Sequence, residues 1–270
     1  MKFIYINFVF INLFIFNLCG QDLNNSDADS LRNLGSSFYE RNPEKCIILL
    51  DRAAILYENV GNKKQQALSY QNIAFTYFEK LDKIDSAIYF IDEAIPIWIE
   101  IQDSINLANI LKYLGMLQGK KGDFSKGIES IRQAIALFNK GNFKPGIAVS
   151  YFDLASLYES ANQLDSSNFY FNKNKEYFES VKDTGRIFRV NNKLFENYIK
   201  SVNLTSASEF YDSNLKLENS NRVYWQQLID YYRLTMKYFK LLDNVEMYNL
   251  IAEKYSQLND SLTNQGIIVK

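Results

Sequence analysis

Few side chains in this sequence could carry out chemistry, and the missing types exclude most reactions. The chain has no histidine, which removes the commonest general base and the commonest metal ligand. Its two cysteines, Cys19 and Cys46, are too few for a structural zinc site. No Gly-x-Ser-x-Gly elbow and no phosphate-binding glycine loop occurs. The sequence therefore predicts a protein that is not an enzyme and that holds no metal and no cofactor.

The remaining reactive groups fit structural roles better. Cys46 falls at a small position of a repeated pattern, where a buried thiol packs rather than attacks. The neighbouring carboxylates of Asp92 and Glu93 suit a solvated helix face. The aromatic runs at 169–171 and 231–232 could stack sugars or bases, but they recur at repeat positions. We therefore predict that both runs pack in the core.

Composition excludes a further class of partner. The net charge is −1 and the isoelectric point is about 5.7, without a basic stripe. Since proteins that bind nucleic acid normally carry a basic excess, no nucleic-acid partner is expected. The chain has only 11 glycines and 3 prolines, which suits long helices joined by short turns.

The elements that position these residues repeat along the chain. A large apolar residue recurs roughly every 40 residues, and an aromatic side chain follows four positions later in most copies. In residues 114–135 this apolar residue opens one helical stripe, Gly122-Asp123 breaks it, and a second stripe follows. The six openers are Leu34, Ile73, Leu114, Leu154, Leu194 and Leu234.

The second helix of each copy has its own signature. Its first buried residue is small in most copies, which lets the two helices approach closely; these residues are Cys46, Ala87, Gly127, Ser167 and Ala207. Pro43 and Pro145 fall at helix starts, where proline is tolerated. Pro96 falls inside a second helix, so a kink or an early end is predicted there.

This spacing of small and aromatic residues resembles the tetratricopeptide repeat, in its longer variant of about 40 residues. Residues 63–79 (KKQQALSYQNIAFTYFE) are especially typical of that family. The resemblance implies an all-α, right-handed superhelical solenoid of about six helix-turn-helix repeats. We expect the solenoid to cover residues 31–262 and a C-terminal tail to follow over 263–270.

The resemblance also implies where a partner binds. In such solenoids the first helix of each hairpin lines a concave groove that holds a protein or peptide segment. The groove-facing positions lie two before and two after each opener. They are Arg32, Ser36, Gln71, Phe75, Lys112, Met116, Phe152, Ser156, Asn192, Glu196, Tyr232 and Met236. Alternatively, the apolar members of this set pack against a neighbouring first helix and never meet a partner.

The N-terminus predicts export. Residues 1–20 have a basic start, an apolar run and a small residue before the expected cleavage between Gly20 and Gln21, as in a secretory signal peptide. A retained membrane anchor, lipidation at Cys19 and a buried first helix are the alternatives, and contact with a membrane is expected only for the first two. Residues 21–30 are polar and acidic, which predicts a flexible lead-in with Asp29 or Ser30 as the first helix cap. The mature protein is expected to be periplasmic or extracellular.

Two functions follow from these patterns. The first is an exported, non-enzymatic scaffold that binds a protein or peptide in the groove. The second is a periplasmic sensory input region that lacks its output module, because exported arrays of such repeats resemble the periplasmic parts of bacterial two-component sensors and regulators. An enzyme with an unrecognised site ranks below both.

Overall fold

The computed structural model describes residues 24–267, so the predicted signal peptide, Cys19 and residues 268–270 lie outside the described part. This part is all-α, as predicted: it has twelve helices and no strand. The helices are α1 Asn25–Ser37, α2 Pro43–Asn59, α3 Lys63–Leu81, α4 Ile84–Glu100, α5 Ser104–Lys120, α6 Phe124–Lys140, α7 Lys144–Ser160, α8 Leu164–Ser180, α9 Thr184–Lys200, α10 Leu204–Leu217, α11 Trp225–Leu241 and α12 Val245–Asn264. Among residues 24–267, none of these helices has the length and apolar character needed to cross a membrane.

The helices form six hairpins in two compact units. The first unit ends at Asp103 and contains α1 to α4; the second begins at Ser104 and contains α5 to α12. Within each unit, every helix packs against the next one along the chain, which is the sequential stacking that the repeats predict. The first helix of each hairpin carries one of the six openers, as expected.

The turns follow from local side-chain chemistry. Seven of the described helices begin after an Asn or Asp whose side-chain oxygen accepts a backbone N–H of the first turn. These caps are Asn24, Asn42, Asn62, Asp123, Asp183, Asn203 and Asn244. Most of the described helices are followed, within one or two residues, by a residue with positive φ, such as Gly61, Gly122 or Asp82. Val202 is the unusual one, since a β-branched side chain at φ 57° is strained.

Small residues set the distance between the two helices of a hairpin. The predicted small positions, from Cys46 to Ala207, are all buried. The closest approach is in the third hairpin, where a Cβ added to Gly115 would lie 2.6 Å from the carbonyl oxygen of Gly127. Cys46 is a free, buried thiol whose pKa is raised by burial, in agreement with a packing role.

Stacked rings join the two helices in other hairpins. The aromatic residue four after the opener stacks on a ring of the second helix, with centroid distances of 5.6 Å for Tyr77–Phe90 and 5.6 Å for Tyr158–Tyr170. In the third hairpin the sequence has Gln118 at this position, and Ser130 donates a hydrogen bond of 2.8 Å to its side chain instead. Ring stacking is therefore one of two solutions to the same contact.

Buried asparagines replace alanine in the later hairpins. Asn174 donates to the carbonyl oxygen of Ala148 at 2.7 Å, so its amide holds α8 against α7. Asn214 on α10 donates to Asn192 on α9 at 2.7 Å. Because each amide is paired, these substitutions add polar links inside the core rather than unpaired polar groups.

Several sequence predictions need correction. Helix α1 begins at Asn25 with Asn24 as its cap, so residues 25–30 are helical and neither Asp29 nor Ser30 caps the helix. The opener Leu34 is 48% exposed rather than buried. Helix α4 runs through Pro96 to Glu100, so of the two outcomes predicted at Pro96, a kink or an early end, the early end is wrong. The last helix extends to Asn264, two residues into the predicted tail.

Candidate partner-binding surface

The predicted groove positions lie on the first helices of both units; in each unit we call this set the first-helix face. Most of these side chains are half-buried, and many contact a neighbouring first helix. In the unit formed by α1 to α4, Arg32 donates to Gln65 on α3, and Ser36 is exposed and donates to the carbonyl oxygen of Arg32 at 3.0 Å. Phe75 is half-buried on α3.

Ion pairs join first helices in the other unit. Lys112 on α5 lies 3.4 Å from the carboxylate of Asp153 on α7. The guanidinium of Arg189 on α9 lies 4.2 Å from the ring centroid of Phe152 on α7, a cation–π contact. Phe152 also packs edge-on against Phe171, so its ring is partly a packing element, as the alternative interpretation expected.

The remaining groove positions divide into buried and accessible ones. Asn192 is only 7% exposed and donates to the carbonyl oxygen of Gln227 on α11 at 2.9 Å, so it links two first helices and is closed to a partner. Tyr232 and Met236 pack against the core of this unit. Met116 and Ser156 are half-buried, and the Ser156 hydroxyl donates to the carbonyl oxygen of Phe152.

A four-residue charge network surrounds Glu196. Glu159 on α7 accepts from Lys200 at 2.6 Å and from Lys193 at 3.1 Å, and both lysines also contact Glu196. Burial alone would raise the pKa of Glu196, but the hydrogen bonds and charges of Lys200 and Lys193 outweigh it and lower that pKa. Sequence reasoning found Glu196 and missed its partners; the i, i+4 spacing of Glu196 and Lys200 was the available signal.

Two buried acceptors on the first helices are not fully satisfied by the described residues. Oε1 of Gln71 on α3 has no hydrogen bond, and Oδ2 of Asp153 on α7 has no contact closer than the Lys112 ammonium at 3.4 Å. Burial raises the pKa of Asp153, and the charge and hydrogen bonding of Lys112, with the charge of Arg189, offset this only in part. An incompletely satisfied buried acceptor is unfavourable, so each position is suited to receive an N–H group from a bound segment.

No protein-family model and no curated protein matches the sequence, but solved structures match the fold. A signal transduction ATPase with a tetratricopeptide repeat sensor, from Pyrococcus horikoshii, aligns at 18% identity and a TM-score of 0.73, over 89% of this chain and 38% of that one. Tetratricopeptide-like repeats of a kinesin light chain from Podosopora anserina align at 13% identity and a TM-score of 0.60, over 72% of this chain and 96% of that one. A Rap protein complexed with competence and sporulation factor aligns at 15% identity and 0.57, over 89% and 66%.

These similarities identify the class of fold: the chain is an all-α helical repeat solenoid of the tetratricopeptide-like kind, as the sequence predicted. The chain spans well under half of the signal transduction ATPase, 38% of its length. Among residues 24–267, no group of acidic or cysteine side chains is arranged to hold a metal ion.

Proposed function

We propose that this chain is an exported, non-enzymatic scaffold whose first-helix faces bind an extended segment of a protein partner. The observation that carries this proposal is the pair of incompletely satisfied buried acceptors, Oε1 of Gln71 in one unit and Oδ2 of Asp153 in the other. An extended peptide offers backbone N–H groups at regular intervals, and such a group would complete the acceptor on the face where the segment binds. The half-buried Phe75 and Met116 lie one turn from Gln71 and Lys112 and offer apolar contacts beside them.

The test separates binding from folding. Asp153→Ala is expected to lower capture of the partner, and because it also removes the ion pair with Lys112, capture is compared at a temperature where circular dichroism shows that the variant is folded. A photo-crosslinking residue at Met116 or Ser156 should capture a defined partner in the native host, and Asp153→Ala should abolish that capture. Glu129→Ala, at an exposed second-helix position, is the matched control and should leave capture unchanged.

Two results would contradict the proposal. Equal capture from crosslinkers on first and second helices would show that the first-helix faces are not the binding surface. Unchanged capture in both Asp153→Ala and the double variant Phe75→Ala with Lys112→Ala would do the same. Export is tested separately: mass spectrometry of the mature protein should find Gln21 as its first residue.

A sensory input region is the second candidate, favoured by the similarity to a protein whose repeats form a sensor. In that case the partner is an output protein, such as a kinase or a transcription regulator. A neighbouring gene encoding such a protein, and its recovery in the Met116 crosslink, would favour the sensory role. Recovery of an envelope protein without signalling function would favour the scaffold.

A further inference from the structure

A cleft opens in the unit formed by α5 to α12, between the second helices α6 and α8 and the intervening helix α7. It has two lobes of about 280 and 330 Å³, which share Tyr151 and Lys173. We call it the second-helix cleft. None of the twelve predicted groove residues lines it, so it is a different surface from the first-helix face.

Rings form one wall of the second-helix cleft. Tyr170 is central, with its ring centroid 5.6 Å from Tyr158, 5.7 Å from Tyr151 and 5.1 Å from Phe169. Phe169 is 55% exposed, although the sequence predicted that the whole run at 169–171 packs in the core. Phe171 does so and Phe169 does not, which leaves an exposed apolar ring on a rigid support.

Cations line the cleft beside these rings. The guanidinium of Arg132 donates to the Tyr158 hydroxyl at 2.8 Å, which fixes its position while leaving further N–H donors for a ligand. Lys173 joins the two lobes and lies 3.2 Å from Glu176, the one acidic side chain in the lining, and Lys144 stands in the second lobe. The balance of charge therefore favours an anionic ligand.

We propose that the second-helix cleft binds an apolar side chain that lies next to a carboxylate, as in an acidic peptide segment with an aromatic residue. The ring would pack on Phe169 and Tyr170, and the carboxylate would meet Arg132 or Lys173. Each lobe is a depression open to solvent, with room for one such side chain. Nucleic acid fits less well, because Glu176 faces the second lobe and the net charge is −1.

This proposal does not rest on the proposed function, and isothermal titration calorimetry on the purified chain tests it. The probes are the capped tetrapeptide Asp-Phe-Glu-Leu, its uncharged analogue Asn-Phe-Gln-Leu, and 3-phenylpropionate as a free small molecule. We expect the acidic peptide to bind at least about tenfold more tightly than the uncharged one, with affinity falling as salt rises. The double variant Arg132→Gln with Lys173→Gln should weaken it by about tenfold or more.

Controls separate a binding role from a structural one. Asp51→Asn with Glu93→Gln changes the corresponding positions of the first two hairpins, on α2 and α4, and should leave binding unchanged. Phe169→Ala removes an exposed ring, so it should weaken binding without unfolding the chain. It therefore tests the cleft even if the double variant loses stability. Tighter binding of the peptide than of 3-phenylpropionate would identify a protein segment as the source, and the reverse would identify a free carboxylate.

Four outcomes would overturn the proposal. These are absence of binding by both carboxylate probes, equal binding of the charged and uncharged peptides, binding that the double variant and Phe169→Ala both leave intact, and tighter binding of oligothymidylate than of the acidic peptide. The first-helix variant Asp153→Ala should not affect these titrations, so failure here and failure of the proposed function are distinguishable.

Discussion

The same arrangement of rings occurs once in each unit, with opposite charges beside it. The first aromatic cluster, in α3 and α4, consists of Tyr70, Tyr77, Tyr89 and Phe90. The second aromatic cluster, in α7 and α8, consists of Tyr151, Tyr158, Phe169 and Tyr170. In each, the last-named ring stacks on a tyrosine at 5.6 Å and meets its neighbour edge-on, at 5.2 Å in the first cluster and 5.1 Å in the second.

The charged neighbours differ. Beside the second cluster stand Arg132 and Lys173. The positions that correspond to them in the repeat hold Asp51 and Glu93, and both carboxylates contribute to raising the pKa of Tyr70, after the larger effect of burial. The ring scaffold is therefore common to the two hairpins, while the charge that a ligand would meet is specific to each one. This comparison shows how a repeat can keep its packing and change its binding chemistry.

The largest expected effect tests whether the two ring scaffolds are equivalent. Removing the central ring by Phe90→Ala or Tyr170→Ala should each lower the free energy of unfolding by about 3 kcal/mol, because each ring contacts three others. Urea unfolding followed by circular dichroism measures it. The exposed rings provide controls: Tyr89→Ala and Phe169→Ala should cost less than about 1 kcal/mol. A large loss of unfolding free energy at only one of the two central rings would show that the two aromatic clusters do not contribute equally to stability.

The third hairpin marks the limit of the comparison, because the Gln118–Ser130 hydrogen bond replaces its ring stack and its helices also meet through a close contact between glycines. Gly115→Ala should destabilise by about 2 kcal/mol, since the new Cβ meets the backbone oxygen of Gly127 at 2.6 Å and outweighs the gain in helix propensity. Gly119→Ala is the control, because its Cβ meets only the end of the flexible Leu157 side chain. Thermal midpoints should separate the two variants. Equal midpoints would mean that the helices of this hairpin can move apart without cost.

Much of this fold could be predicted from the sequence, because each hairpin repeats a simple pattern of small and apolar residues. The buried Cys46, Ala87 and Gly127 were found this way. Burial was harder to predict in the first hairpin. Leu34 has the spacing of an opener, and yet it is 48% exposed. Spacing identifies the helix face of a residue, but it does not show whether another helix covers that face.

The candidate surfaces were less predictable. Asn192 fits the groove pattern by position, but its amide is used between α9 and α11, a contact with a residue far along the chain. The charge network at Glu159 and the long contact between Lys112 and Asp153 depend on how first helices pack beside each other. Phe169 was assigned to the core with its neighbours, although a helix places adjacent residues on different faces.

A smaller effect tests the cation beside the second cluster. Tyr158→Phe removes the hydroxyl that accepts from Arg132 and should cost about 1 kcal/mol in urea unfolding. The corresponding change in the first cluster, Tyr77→Phe, should cost less. Burial, and after it the charge of Asp51, raises the pKa of the Tyr77 hydroxyl, but neither is a hydrogen bond that the change would remove. If Tyr77→Phe is the more costly change, the two hydroxyls do not differ in the way that the charges indicate.

The smallest expected effect concerns the carboxylate beside the first cluster. Burial raises the pKa of Asp51 above its ordinary value of 3.8 in the folded protein. Between the ordinary and the raised value the folded state binds more protons than the unfolded state, so stability falls as pH rises through that window. Asp51→Asn should therefore stabilise the protein slightly at neutral pH and lose this advantage below the ordinary pKa. Urea midpoints across that pH range measure the difference, and the pKa of Tyr77 should move towards its ordinary value in the variant.

Arg132→Gln, at the corresponding position of the second cluster, should show no such dependence, because a guanidinium stays charged throughout. A stability difference for Asp51→Asn that is constant with pH would show that the carboxylate is as well solvated in the folded chain as in the unfolded one, and that the two clusters differ in charge without differing in the cost of carrying it.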